Sequence, residues 1–178
     1  MSMDDLHLDL PTFEDCAALH EIYSDSRVWT HLPTGRHTHM AQTEDMLRAW
    51  IEGWTRDGLS AWIVRDKDSG ALLGNAGCWI KRDAFWNLGY RLAHEAQGRG
   101  IATRVSAHAV EKARTVCPAL PIVAILLEHN LASARVAEKV GLTIRHRGPD
   151  AGNPDPEAVR LIAADRELSE QEVQAALA

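Results

Sequence analysis

Between residues 95 and 113 the chain reads EAQGRGIATRVSAHAVEKA, and the chemistry of this stretch lies in its first few letters. Gly98 and Gly100 flank Arg99 just before a run in which Ile101, Val105, Ala109 and Ala113 recur at helical spacing, with Ala102 and Val110 beside them. Each glycine costs a helix about 1 kcal/mol, so two at a nucleation point need a reason. A helix N-terminus offers unpaired N–H groups and about half a positive charge, a ready seat for phosphate. Glycine lets a diphosphate approach the backbone with no Cβ in the way, and Arg99 adds charge at the same place. The alternative is a tight strand-to-helix turn that needs glycine for its own geometry. Two other phosphate loops do not fit, because neither G-x-x-x-x-G-K-[ST] nor G-x-G-x-x-G occurs here.

A second group, His31, His37 and His39, contains an H-x-H spacing able to bind a metal. No cysteine or carboxylate completes a ligand set nearby in sequence, so this segment reads as a loop lining a pocket, and no metal is expected. Trp50 and Trp54 stand one helical turn apart, which is core spacing.

The glycines and histidines must be positioned by the elements around them. LHLDL (Leu6 to Leu10) alternates as a half-buried strand does, and a helix follows over roughly Phe13 to Ser24. His31 to His39 form a loop before a helix from about Met40 to Trp54. LSAWIVRD, the turn KDSG and ALLGNAGCWIKR make an antiparallel hairpin, and WNLGYRLA (Trp86 to Ala93) is the strand that leads into the glycines. PIVAILLE (Pro121 to Glu128) is a continuous apolar run of the kind buried on both faces. Asn130 is placed to N-cap a helix ending at Gly141. LTIRHR is a strand, GPDAGNPDP a loop and EAVRLIAA a last strand, and Ser169 with Glu172 makes a capping box for a terminal helix. The class is mixed α/β around a largely antiparallel sheet.

The composition fits one domain over residues 1–178, with 46% hydrophobic and 25% charged residues. A net charge of −6 argues against a general nucleic-acid or anionic-membrane binder. Cys16, Cys78 and Cys117 are far apart and odd in number, with no C-x-x-C and no signal-like N-terminus, so a cytoplasmic protein with reduced thiols is expected.

Gln97, Gly98, Arg99, Gly100, Ile101 and Ala102 fit the pattern Q/R-x-x-G-x-G/A. This resembles the acetyl-CoA diphosphate loop of the GNAT N-acetyltransferase superfamily. The surroundings agree. NLGYRLAHEAQGRGIATRVSAHAV and EHNLASARVAEKVGL are similar to two blocks of the RimJ/RimL branch, which acetylates ribosomal-protein N-termini. The resemblance implies a GNAT fold, a sheet of about seven strands flanked by helices and splayed at the acyl-CoA site. It implies acetyl-CoA as acyl donor and an amine as acceptor. The pantetheine arm would lie between the strands at residues 88–93 and 121–127, pairing with backbone of Leu92, Ala93 and His94. The amides of residues 98–103, Thr103 included, would hold the diphosphate. Asn130 would contact the arm as well as cap its helix, Ser133 would sit near the thioester sulfur, and Arg135 and Lys139 could reach the adenosine phosphates. Trp29, Trp79 and Trp86 are candidates for shaping the acceptor pocket.

Three positions depart from the family pattern. The glutamate that many relatives carry before G-Y, a usual general base, is Asn87; the glutamate of i-a-t-E-a is Arg104; and the tyrosine that protonates the departing thiolate is Ala137. The titratable candidates left near the expected thioester are His94, Glu95, Glu128 and His129, with Ser133 beside them. The expected activity is acetyl transfer to a primary amine, a peptide N-terminus or a small molecule, by direct attack and with no covalent role for Cys78 or Cys117. The oxyanion would be held by a backbone N–H near Leu92 or Ala93. The alternatives are another acyl group, or an acyl-CoA-binding module that has lost catalysis. A homodimer is compatible with the resemblance.

Overall fold

The computed structural model describes residues 3–178. Its elements run β1 (Leu6–Asp9), α1 (Cys16–Ser24), α2 (Met40–Asp57), β2 (Ala61–Asp66), β3 (Leu72–Lys81), β4 (Phe85–Leu92), α3 (Ile101–Val116), β5 (Ile122–Leu127), α4 (Leu131–Lys139), β6 (Thr143–Pro149), β7 (Val159–Ala164) and α5 (Glu170–Leu177). The seven strands form one sheet in the order β1-β2-β3-β4-β5-β7-β6. Every neighbouring pair is antiparallel except β4 and β5. A parallel pair needs a crossover, and α3 supplies it.

Side chains alternate across β4 and sort the molecule into two layers. Trp86 and Leu88 pack with Ala109, Val110 and Ala113 of α3, and Leu92 with its Ile101 and Val105. The small residues of this α3 face let the helix lie close to the sheet. The opposite face is covered by α1 and α2 through Leu19, Ile22, Tyr23, Leu47 and Trp50, which meet Trp29 and Ile63. Trp50 is therefore core, as its spacing indicates; Trp54 is partly buried, and its Nε1 donates to Ala61 O at 2.8 Å.

Element ends shift where local hydrogen bonds compete. The helix expected from Phe13 opens as a 3-10 turn over Phe13–Asp15, because the Asp15 carboxylate turns back to accept from Thr12 N at 2.8 Å. Helix α2 runs three residues past Trp54 and stops at Gly58, which takes the left-handed conformation at φ 71°. Strand β6 continues through Gly148 and Pro149, taking two residues from the expected loop.

Gly89 has a steric role. A Cβ there would lie 2.3 Å from the Trp79 ring, which crosses β4 at that point. Its backbone is not left-handed, so an alanine would act through crowding alone. Gly89→Ala is expected to lower stability by about 1–3 kcal/mol, seen as a lower midpoint in thermal unfolding; an unchanged midpoint contradicts this packing.

Candidate active site

The site begins with a failure of pairing. Strands β4 and β5 share two rungs, Trp86↔Ile122 and Asn87↔Val123, and then diverge although β4 runs on to Leu92 and β5 to Leu127. Trp86 N–H donates to Pro121 O on the β5 side, and Ala93 N–H donates to Leu73 O on the β3 side. Alternation therefore points the amides of Leu88, Tyr90 and Leu92 into the gap. The gap widens into a cleft of about 1130 Å³ lined by β4, β5, the glycine loop, the start of α4 and the loop after α1.

This revises the expected backbone contacts. Ala93 C=O accepts from Ala96 N, His94 C=O from Gln97 N, and Leu92 C=O from Gln97 Nε2 at 3.2 Å. A one-turn 3-10 helix over His94–Ala96 thus consumes backbone groups that the sequence assigned to the pantetheine arm. The edge left for an added strand is Leu88, Tyr90 and the Leu92 amide. Of the two amides proposed for the oxyanion, Leu92 faces the cleft and Ala93 does not.

Gly98 and Gly100 adopt φ of 74° and 73°, the left-handed region that suits glycine. A Cβ built on either would meet no atom within 4 Å. The turn thus needs glycine for its conformation, and open space lies beside it. Gly100 caps α3 without a side chain, whereas Asn130 and Ser169 cap α4 and α5 with theirs. The first amides of α3 have no side-chain acceptor and lie next to the cleft, which Gly98, Gly100, Ile101, Ala102 and Thr103 line. Arg104 turns away and pairs with Asp5 ahead of β1, which explains an arginine in that first turn.

Strand alternation gives the cleft two chemically distinct sides. On the α3–α4 side the Tyr90 hydroxyl donates to Ser133 Oγ at 3.1 Å, and burial raises the phenol's pKa, so it stays protonated. On the α1–α2 side stand Asn87, Trp79, Arg91, Trp29 and His31. His31 is pushed down to about 4, first by burial and then by the charges of Arg91 and His129, so its ring is neutral near pH 7. Tyr90 was missed because its alternation with Leu88 and Leu92 reads as core; the usable signal is that a buried phenol needs a partner, and this one lies on the face shared with α4.

The catalytic candidates separate. Ser133 lines the cleft, as does His129, whose Nε2 donates to His31 O at 2.9 Å. His94, Glu95 and Glu128 do not line it. Glu95 pairs with Arg27 at 2.9 Å and Glu128 forks onto Arg147 at 2.6 and 3.0 Å. Hydrogen bonding holds both carboxyls below the usual range, which makes them weak bases as well as distant ones. Asp150 is the one carboxylate on the wall among the described residues, and it is tied to Arg160.

Trp29 and Trp79 line the cleft; Trp86 does not, being fully buried with Nε1 on Cys117 O at 3.1 Å. Burial pushes the Cys78 thiol well up, which removes it as a nucleophile. His37 bonds Thr43 Oγ1 at 2.9 Å, and His39 caps α2. No group of three potential metal ligands occurs among the described residues. No helix among them is long and apolar enough to cross a membrane.

These features define a class. The acetyltransferase (GNAT) domain family matches residues 5–143, and the chain belongs to that family. Solved structures share its fold. A GNAT-family acetyltransferase from Bordetella pertussis is 19% identical with a TM-score of 0.75, covering 93% of this chain and 98% of that one. The ribosomal L7/L12 α-N-protein acetyltransferase RimL in complex with coenzyme A is 17% identical with a TM-score of 0.76, covering 93% and 95%. YncA from Salmonella typhimurium, an acetyltransferase with acetyl-CoA, is 21% identical with a TM-score of 0.70, covering 94% and 96%. Among curated sequences, YkkB of Bacillus subtilis (strain 168), itself uncharacterised, is 29% identical over 102 residues. That match spans 53% of this chain and 59% of the relative's length.

Asn130 Oδ1 accepts from Ser133 N at 3.2 Å, which caps α4. Asn130→Ala is expected to cost about 1 kcal/mol of stability in denaturant unfolding. No change would show that this bond contributes nothing to the helix.

Proposed function

We propose that the chain transfers the acetyl group of acetyl-CoA to a primary amine, an α-amine of a peptide or a small molecule, by direct attack in a ternary complex. The observation that carries this reading is the unpaired edge of β4 followed, across the 3-10 turn and the glycine loop, by an α3 N-terminus that no side chain caps. The first suits the amides of a pantetheine arm and the second suits a diphosphate. Relatives of the same fold hold coenzyme A or acetyl-CoA.

In this reading the amine enters from the α1–α2 side, where the Asn87 carboxamide can accept one of its N–H bonds. Its lone pair attacks the thioester carbon, and the oxyanion is held by the Leu92 amide. The C–S bond then breaks to a thiolate that accepts a hydrogen bond from the Ser133 hydroxyl, whose Oγ in turn accepts from Tyr90, and water protonates the departing sulfur. The surplus proton on nitrogen leaves to water, because the one wall carboxylate among the described residues, Asp150, is tied to Arg160. A thiol of ordinary pKa of about 8.5 leaves tolerably even without an acid. The missing base is the more consequential departure.

An attacking amine must be neutral. An α-amine of pKa about 7.7–8.0 is roughly a tenth neutral at pH 7, whereas a lysine of about 10.4 is neutral in only about one molecule in a few thousand. That difference of about 2.5 units is about 3.4 kcal/mol, which a base would otherwise offset. The cleft therefore favours an α-amine or amino-acid-like acceptor over a lysine side chain. An acyl-CoA-binding module without catalysis is the competing reading, favoured by Asn87 and Ala137. Thiol release from acetyl-CoA over a panel of amines tests the two, since binding without release for every amine supports the module.

Gly100→Val and Gly100→Asn should each weaken coenzyme A binding about tenfold or more in calorimetry, which is about 1.4 kcal/mol. Asparagine tolerates the left-handed backbone, so its loss would report bulk at the diphosphate rather than strain. Unchanged affinity in a folded Asn variant rejects this loop as the diphosphate site.

The rate should also follow the acceptor. With His31 neutral down to about pH 4, kcat/KM should fall about tenfold per pH unit below the amine's own pKa. Replacing the acceptor by a less basic amine should move that break down by the same amount. A break that stays in place identifies a protein base.

A further inference from the structure

We propose that the acceptor carries a carboxylate beside its amine and that Arg91 binds it. This deepens the acetyltransferase reading by naming the substrate class. Arg91 stands on the same face of β4 as Asn87, one residue before the Leu92 amide, and lines the cleft. Its guanidinium lies 3.7 Å from the centroid of the Trp29 ring. Nη1 donates to Val28 O at 3.2 Å and meets His31 Nε2 at 3.4 Å. The charge is thereby fixed in place before any ligand arrives, which lowers the cost of binding one.

What Arg91 lacks is a counter-charge. Among the described residues the other arginines without an acidic partner are Arg36, Arg82, Arg99 and Arg135, and all four are exposed. Arg91 is not, and its Nε is buried with no hydrogen bond. Desolvation of an unpaired cation is costly, and loss of hydration lowers its pKa. Its neighbours Tyr23, His31 and His37 supply no negative charge: the phenol is pushed up to about 12, and both imidazoles are lowered. Asp150, the acid on the wall, already has Arg160. A chain of net charge −6 therefore presents an uncompensated cation at the end of the cleft where the amine enters. That arrangement attracts a carboxylate and repels a polyamine.

The pairing also bears on the missing base. A cation near an ammonium lowers its pKa, and neutralising the acceptor's own carboxylate removes the group that would raise it. Arg91 would thus supply part of the neutral amine that no protein base generates. Because Arg91 and the Leu92 amide are adjacent, amine and carboxylate should be separated by a short spacer, as in an α-amino acid.

The test measures thiol release with acetyl-CoA for each α-amino acid, for its carboxamide, and for peptide amides beginning with Asp or Glu. The carboxamide has the less basic amine, so basicity alone favours it. The expected result is a kcat/KM about tenfold or more higher for a carboxylate-bearing acceptor than for its carboxamide. Free amino acids ahead of the acidic peptides identify an α-carboxylate; the reverse identifies a side-chain carboxylate. R91Q should bring the ratio between each pair to one or below, where basicity alone leaves it, a readout that does not depend on how much of the variant folds. Equal rates in the unaltered protein, or an unchanged ratio in R91Q, overturn the proposal. If no amine is acetylated, the enzyme reading fails separately. Calorimetry of N-acetyl amino acids against their carboxamides, with coenzyme A present, then decides the carboxylate site, and equal affinities reject it.

Discussion

Two rungs of backbone pairing between β4 and β5 are the constraint from which the site follows. They join a four-stranded meander, β1 to β4, to the β5-β7-β6 group, and they stop short of the strands' ends. Past the second rung, strand groups that would have bonded each other face a shared gap. Unpaired amides are costly when buried, so this edge needs water or a ligand of matching periodicity. A longer ladder would have made a more uniform sheet and left no cleft.

The same alternation that builds the core separates the two halves of the proposed reaction. Successive residues of β4 point to opposite layers, so Tyr90 reaches α4 while Arg91, on the face it shares with Asn87, reaches the loop after α1. One strand can then place a protonated hydroxyl on the leaving-group side and a fixed cation on the acceptor side without either disturbing the other. Asp5 and Arg104 have no part in this, but their ion pair anchors the start of the chain to the helix that the glycines introduce.

Much of this was legible in the residues. The helical period after Gly100, the run at 121–128 and the cap at Asn130 gave the crossover, the central strand and α4, because each depends on local pattern. The glycine loop is legible because the positive φ at Gly98 and Gly100 demands glycine. The backbone contacts at Ala93 and His94 were not, since a single 3-10 turn at 94–96 redirects them and nothing in HEA marks it. Local sequence leaves Glu95 and Glu128 available, whereas the fold pairs them with Arg27 and Arg147, which are distant in sequence. Arg91 is hidden in the sequence for a related reason. An arginine in a strand reads as solvated, and only the tertiary fold shows that no acid accompanies it.

Two rings on the cleft wall occupy space that a side chain would otherwise fill. Trp79 lies over Gly89, and Trp29 lies where a Cβ on Gly35 would come within 2.3 Å. Neither glycine needs a left-handed backbone, so each position is open to every residue type conformationally and closed sterically. The floor beneath Arg91 is thus set by the absence of two methyl groups. Over evolutionary time, substrate range in such an enzyme can drift through positions 35 and 89. A methyl gained at either tilts an indole and reshapes the pocket without any change in the residues that touch the acceptor.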